Sequence, residues 1–207
     1  VLLAGSLGVF AEERSIRIAS KNFNENYLLA EIMSQALEIE GYVVERSFGF
    51  GGTLVCYEAL VNDEIDIYAE YTGTLEQVIL KSTEQAPSVA SLNRKLEGSS
   101  LEVLGSFGFN NTYAMAIKDE LVKKRNISTV SDLANEPDLK IAFSFEFLNR
   151  EDGWPGLAST YGMSSHPTGI DHGLAYQAID DGKIDVTDAY STDGDLQRYV
   201  LTVLEDD

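Results

Sequence analysis

The chain has 207 residues, with 34 Asp and Glu against 15 Lys and Arg, a formal net charge of −19. Its 44% of hydrophobic residues supply a core, so the charge does not imply disorder, while the acidic balance excludes nucleic acid and disfavours anionic membrane surfaces. The lone cysteine, Cys56, excludes an intramolecular disulfide and a Cys-rich zinc site.

Residues 1–11, VLLAGSLGVFA, form a short apolar run ending on a small residue before Glu12-Glu13. This pattern reads as the back half of a secretory signal peptide cleaved at Ala11, so the mature protein is expected to be exported, soluble and periplasmic. Residues 16–19 read as a strand, ended by the polar loop 20–24. A helix follows, with Leu28, Leu29, Ile32, Met33, Ala36 and Leu37 on one apolar face, Asn24 as its N-cap and Gly41 as its stop. Residues 42–48 alternate as a second strand. Gly49-Phe-Gly-Gly52-Thr53 opens a helix running to Leu60, and residues 65–68 give a third strand. Strands alternating with helices indicate an α/β domain with a largely parallel sheet. Residues 81–100 read as a surface helix pair. Beyond them, 113–117 and 140–145 read as strands and 132–135 as a short helix. The end, VLEDD, follows an apolar stretch directly, and both ends read as cut.

An internal repeat carries the most information. Residues 57–71 align with 176–190 without a gap at an offset of 119, and Tyr57/Tyr176, Ala59/Ala178, Ile65/Ile184, Asp66/Asp185 and Tyr71/Tyr190 are identical. Each copy reads as helix, turn, buried strand, then a Tyr past the strand's carboxyl end. In open α/β sheets ligands bind outside those ends. The repeat therefore predicts two related lobes, each presenting one Tyr to a shared cleft.

The chemistry available is that of binding. His166 and His172 lie in the loop-like stretch SSHPTGIDHG, where surface histidines are expected and no zinc-ligand spacing accompanies them. The acidic turns at 180–185 and 191–195 lack calcium-loop spacing. Gly49-Phe-Gly-Gly-Thr53 lacks the Lys of a P-loop, yet it can aim helix N-terminal amides at an anionic group. Cys56 is expected in the core. Tyr71 and Tyr190 are joined by Tyr113, which follows Asn110-Asn111. Several Tyr faces around one point attract a quaternary ammonium, which has no N–H to donate, by about 0.5–2 kcal/mol each. Lys21 and Arg150 suit a carboxylate, Lys as a point charge and Arg bidentately.

At these residues the chain resembles the substrate-binding proteins of quaternary-amine ABC importers, the glycine betaine/choline/carnitine group. The matching stretches are Ser20-Lys-Asn-Phe23, Gly51-Gly-Thr-Leu-Val-Cys-Tyr-Glu-Ala-Leu60, Glu70-Tyr-Thr-Gly-Thr74, Gly108-Phe-Asn-Asn-Thr-Tyr-Ala114, Arg150-Glu-Asp-Gly153 and Asp188-Ala-Tyr-Ser-Thr-Asp-Gly194. They run in family order from residue 16 to 207. The resemblance implies a two-lobed type II periplasmic-binding fold of α/β class that closes by hinge motion. Lobe I would cover 12–107, lobe II 108–201, and 202–207 would begin the crossover back to lobe I, whose return is missing. It implies Tyr71, Tyr113 and Tyr190 as cage walls, Lys21, Thr74 and Arg150 on the ligand carboxylate, and Asn111 as a polar neighbour. Ala69 stands where Pro is usual, and the family's later Phe-Pro-Pro-Tyr-like segment is not reached.

The expected function is capture of glycine betaine or a related osmoprotectant and its delivery to an ABC permease, by a monomer with no cofactor, metal or catalytic residue. Choline carries the cation without a carboxylate, so Lys21 and Arg150 favour betaine. The alternative is the extracellular sensor domain of a signalling receptor with the same fold. An enzyme is disfavoured, since no nucleophile–base pair is evident.

Overall fold

The structure is a computed structural model, described here for residues 15–207; the expected signal peptide at 1–11 lies outside the described residues. Two compact units divide the chain. The first holds Asn26–Ala69 together with the described residues before Phe23, and the second holds Phe23–Glu25 with Glu70–Asp207.

In the first unit, β1 (Ser15–Lys21) lies between two parallel neighbours, β2 (Val43–Gly51) and β3 (Ile67–Tyr68), in the order β2-β1-β3. The helices α1 (Asn24–Ile39) and α2 (Thr53–Val61) make the connections. This is the α/β alternation expected from the sequence, and the sheet of this unit is parallel. Ala19, Ala59 and Ile65 form its buried centre with Leu60 and Tyr68 against them. Cys56 is buried, as expected.

The apolar face assigned to α1 needs correction. The helix buries Asn26, Leu29, Ala30 and Ser34, while Leu28 is 61% and Ile32 53% exposed. A polar tie sets this rotation. Asn26 Oδ1 accepts from the Lys21 backbone N–H at 2.7 Å, and its Nδ2 donates to the Ala69 carbonyl at 3.0 Å. A fully buried amide must keep its bonds, so it governs which side of the helix turns inward. Asn24 is the first helical residue rather than the cap.

In the second unit, α3 (Thr72–Thr74) runs into a π-helical turn, Leu75–Ile79. Only one helix, α4 (Val89–Lys95), forms where a pair was expected. Its start is set by a reciprocal capping box between Ser88 and Ser91. The strands β4 (Tyr113–Lys118) and β5 (Ala142–Ser144) follow, with α5 (Asp119–Arg125) and α6 (Val130–Ala134) between them. Then come α7 (Phe145–Asn149), α8 (Trp154–Tyr161), β6 (Thr168–Ile170), α9 (His172–Asp180), β7 (Val186–Tyr190), α10 (Asp195–Arg198) and β8 (Leu201–Val203). Here the expectation of a parallel sheet fails in part. β4 runs antiparallel to both β7 and β8, while β5 pairs in parallel with β6, and Ile141, just before β5, forms a parallel bridge to Val186 of β7. Met115, Ile117, Leu133, Phe143, Phe147 and Val186 lie in the main core of this unit.

The repeat is structural. Both copies fold as helix, tight turn and strand, α2 to β3 and α9 to β7. Asp63 and Gly182, equivalent in the alignment, both adopt positive φ, +56° and +69°. Asp66 exchanges two hydrogen bonds with the Arg17 main chain, at 2.7 and 2.8 Å. Asp185 makes the same exchange with Lys140, at 2.8 and 2.7 Å. The shared Asp thus pins the start of each strand to its neighbour.

Candidate ligand-binding site

Tyr113 opens β4 and Tyr190 closes β7, and the antiparallel register sets them directly opposite each other. Their ring centroids lie 5.2 Å apart with a tilt of 54°. Phe147 supports Tyr113 at 4.9 Å. Phe23 stands between Tyr190, at 4.7 Å, and Tyr71, at 5.9 Å. Four rings are therefore linked in the series Tyr71, Phe23, Tyr190, Tyr113, all within the second unit. Burial raises the Tyr113 hydroxyl well above its ordinary pKa, with the nearby Glu146 charge adding to it. Burial raises that of Tyr190 likewise. Both rings are neutral phenols over the whole physiological range.

Beside the rings, Glu25 Oε1 accepts from the Tyr71 hydroxyl at 2.6 Å and from Asn111 Nδ2 at 2.7 Å. Asn111 Oδ1 is buried and makes no hydrogen bond. Sequence reasoning passed over Phe23 and Glu25, although both stand in or next to the Ser20-Lys-Asn-Phe23 motif.

Arg150 follows α7, and its side chain is only 7% exposed. Its Nη1 donates to Thr74 Oγ1 at 2.9 Å. Nε and Nη2 donate to the two oxygens of Asp152, at 2.9 and 2.6 Å. The guanidinium carbon also lies 5.3 Å from the centre of the Tyr113 ring. One edge of the fork expected to take a carboxylate is thus already engaged by Asp152. Gly153 makes this turn possible, since a Cβ there would meet the Phe147 carbonyl oxygen at 2.2 Å.

Of the seven expected site residues, Tyr71, Thr74, Asn111, Tyr113, Arg150 and Tyr190 belong to the second unit. Lys21 belongs to the first. It ends β1, is 3% exposed, and its Nζ donates to Thr53 Oγ1 at 2.8 Å, at the start of α2.

The reading of both histidines as surface residues holds for His166 and fails for His172. His172 is the first residue of α9, with its side chain 11% exposed. Its ring lies 4.3 Å from that of Tyr190, and its Nε2 is 2.9 Å from Asp193 Oδ2. Extending the repeat by four residues would have found it, because His172 is equivalent to Thr53, the first residue of α2.

An α/β chain of this topology, with an aromatic row beside a buried arginine, has the organisation of a solute-binding domain. The profile of the OpuAC family, "Substrate binding domain of ABC-type glycine betaine transport system", matches residues 14–207, and the chain belongs to that family. It is a family of solute-binding domains and not of enzymes. The chain is 35% identical over its full length to the Helicobacter pylori "Ergothioneine transport permease/ergothioneine binding protein EgtU", of which it spans 39%. It is 34% identical over 95% of its length to the "Glycine-betaine-binding protein" of Pseudomonas aeruginosa, of which it spans 68%. A solved structure described as a "glycine betaine/carnitine/choline ABC transporter" superposes with a TM-score of 0.68 at 27% identity, covering 92% of this chain and 74% of that one. The fold is thus of the type II periplasmic-binding kind. Among the described residues no helix is long and apolar enough to cross a membrane.

Proposed function

We propose that the chain is an exported, monomeric solute receptor that holds a quaternary-ammonium zwitterion of the glycine betaine type in an aromatic cage and hands it to an ABC permease. Tyr71, Tyr113 and Tyr190 are the cage walls. Thr74 and Arg150 take the ligand carboxylate, and Asn111 lies at the cage edge. The observation that carries this reading is the Tyr113–Tyr190 pair, whose ring Tyr113 also bears the Arg150 guanidinium. A cation and an anion subsite that share one ring suit a ligand whose two charges are close together. Glycine betaine and ergothioneine both carry a trimethylammonium on the carbon next to the carboxylate, whereas choline carries no carboxylate.

Calorimetric titration of the full-length protein with glycine betaine, ergothioneine, carnitine and choline tests this. Tight binding of one of the first two, with choline at least about tenfold weaker through loss of the charge-assisted bonds, is expected. Choline binding as tightly as the zwitterions would sink the reading.

A further inference from the structure

We propose, on the reading of Tyr71 as a cage wall, that Asn111 is a specificity-determining residue whose Oδ1 accepts a hydrogen bond from the ligand. The ligand class this assigns is a betaine bearing an N–H or O–H donor close to its trimethylammonium, a donor that glycine betaine lacks. Asn111 stands just before β4, where the Ser191 N–H donates to the Thr112 carbonyl at 2.9 Å and the Thr112 N–H to Ser191 Oγ at 3.0 Å. The extended pairing thus continues one residue past the Tyr113–Tyr190 pair. Side chains two residues apart on an extended chain face the same way, which sets Asn111 on the side that Tyr113 occupies.

Glu25 fixes which end of the amide is presented. Its Oε1 accepts from Asn111 Nδ2 at 2.7 Å and from the Tyr71 hydroxyl at 2.6 Å, so the amide is tied to the rim of the Tyr71 ring. Turning the amide over would set its carbonyl oxygen against a carboxylate oxygen. With Nδ2 so engaged, Oδ1 is the free end, and among the described residues it is buried without a hydrogen bond. A buried acceptor left unpaired is costly, and a ligand that supplies the missing donor removes that cost. A trimethylammonium brings only C–H groups, weak donors that repay a part of it. A site built around such an acceptor therefore favours the donor-bearing ligand over its donor-free analogue.

The test is calorimetric affinity of the full-length protein for two matched pairs of zwitterions. Ergothioneine and phenylalanine betaine carry the same charged groups, on a ring with N–H donors and on one without. Carnitine and γ-butyrobetaine differ only by a hydroxyl. In at least one pair wild type is expected to bind the donor-bearing member about tenfold or more tightly, and the pair that responds tells ring N–H from hydroxyl. Asn111→Leu, similar in size and without an acceptor, should reduce that preference to within about threefold, and so should Asn111→Ala. No preference in either pair, or a preference that both Asn111 variants retain, overturns the inference alone. Unchanged affinity in Tyr71→Ala, or no binding of these zwitterions or of glycine betaine by wild type, overturns the cage reading and the inference with it.

Discussion

Tyr113 and Tyr190 are cross-strand partners in the β4–β7 ladder, so main-chain hydrogen bonds fix the separation of two proposed cage walls. Rings held by a ladder keep their spacing better than rings carried on loops, and the attraction of a cage depends on that spacing. Removing one face should therefore be costly in affinity. Tyr190→Ala and Tyr71→Ala are expected to weaken glycine betaine binding by about 5- to 30-fold, from about 1–2 kcal/mol per desolvated face. Tyr190→Phe, which keeps the ring, should stay within about threefold. Calorimetry decides, and an alanine variant with wild-type affinity removes that ring from the site.

Arg150 holds Thr74, Asp152 and the Tyr113 ring at once, a set of contacts that needs a planar fork. Arg150→Lys keeps the charge and loses the fork. Glycine betaine affinity is expected to fall about tenfold or more, with choline affinity changing by less than about threefold. Parallel losses for both ligands would mean that Arg150 supports the cage and does not read the carboxylate.

Three desolvated phenols make the chain sensitive to alkali. Burial is the leading cause of the raised pKa of Tyr113, Tyr176 and Tyr190, and for Tyr176 the hydrogen bond to Asp193 adds to it. A pKa higher in the folded than in the unfolded chain means stability that is complete below the ordinary phenol value of about 10 and lost as pH rises beyond it. Of the ten tyrosines, at least these three should stay un-ionised at about pH 11 until the chain unfolds. Phenolate absorbance followed with and without urea measures this. Titration of all ten near pH 10 in the folded chain would contradict it.

The equivalent turns give a backbone prediction. Gly182 has φ +69° with open space where a Cβ would stand, so Gly182→Ala should cost about 1 kcal/mol from conformation alone. Asp63 has φ +56° at the same point of the other copy. Asp63→Gly should be close to neutral, because relief of the left-handed strain offsets the added freedom of the unfolded chain. Urea midpoints at equal slope would compare them, and a Gly182→Ala variant as stable as wild type would refute the assignment.

Much of the fold was legible because local signals and tertiary structure agree. The repeat located two helix–turn–strand units, and in each the shared Asp and a left-handed turn residue do the same work. Three readings went astray where a non-local contact overrode the local pattern. The rotation of α1 follows from the bonds of Asn26 to the Lys21 main chain, just before the helix, and to Ala69, 43 residues further along the chain and outside the window that periodicity examines. The direction of β4 is set by antiparallel pairing with β7, far along the chain, and with β8, a strand of three residues too short to announce itself. His172 looked like a loop histidine because burial by Tyr190 and Asp193 comes from a later strand and its turn. In the candidate site the aromatic and cationic residues could be named from motifs. That Asp152 engages Arg150, and that Phe23 joins Tyr71 to Tyr190, could be learned only from side-chain geometry.

The first helical residue is the same station in both copies of the repeat, yet the two stations handle opposite charge. Thr53 receives the ammonium of Lys21, and His172 is paired with the carboxylate of Asp193. A duplicated scaffold can thus diverge in electrostatic sign without altering its turn, because the bonds that close the turn involve none of these side chains. Polarity becomes a property that one substitution at each helix start can reassign.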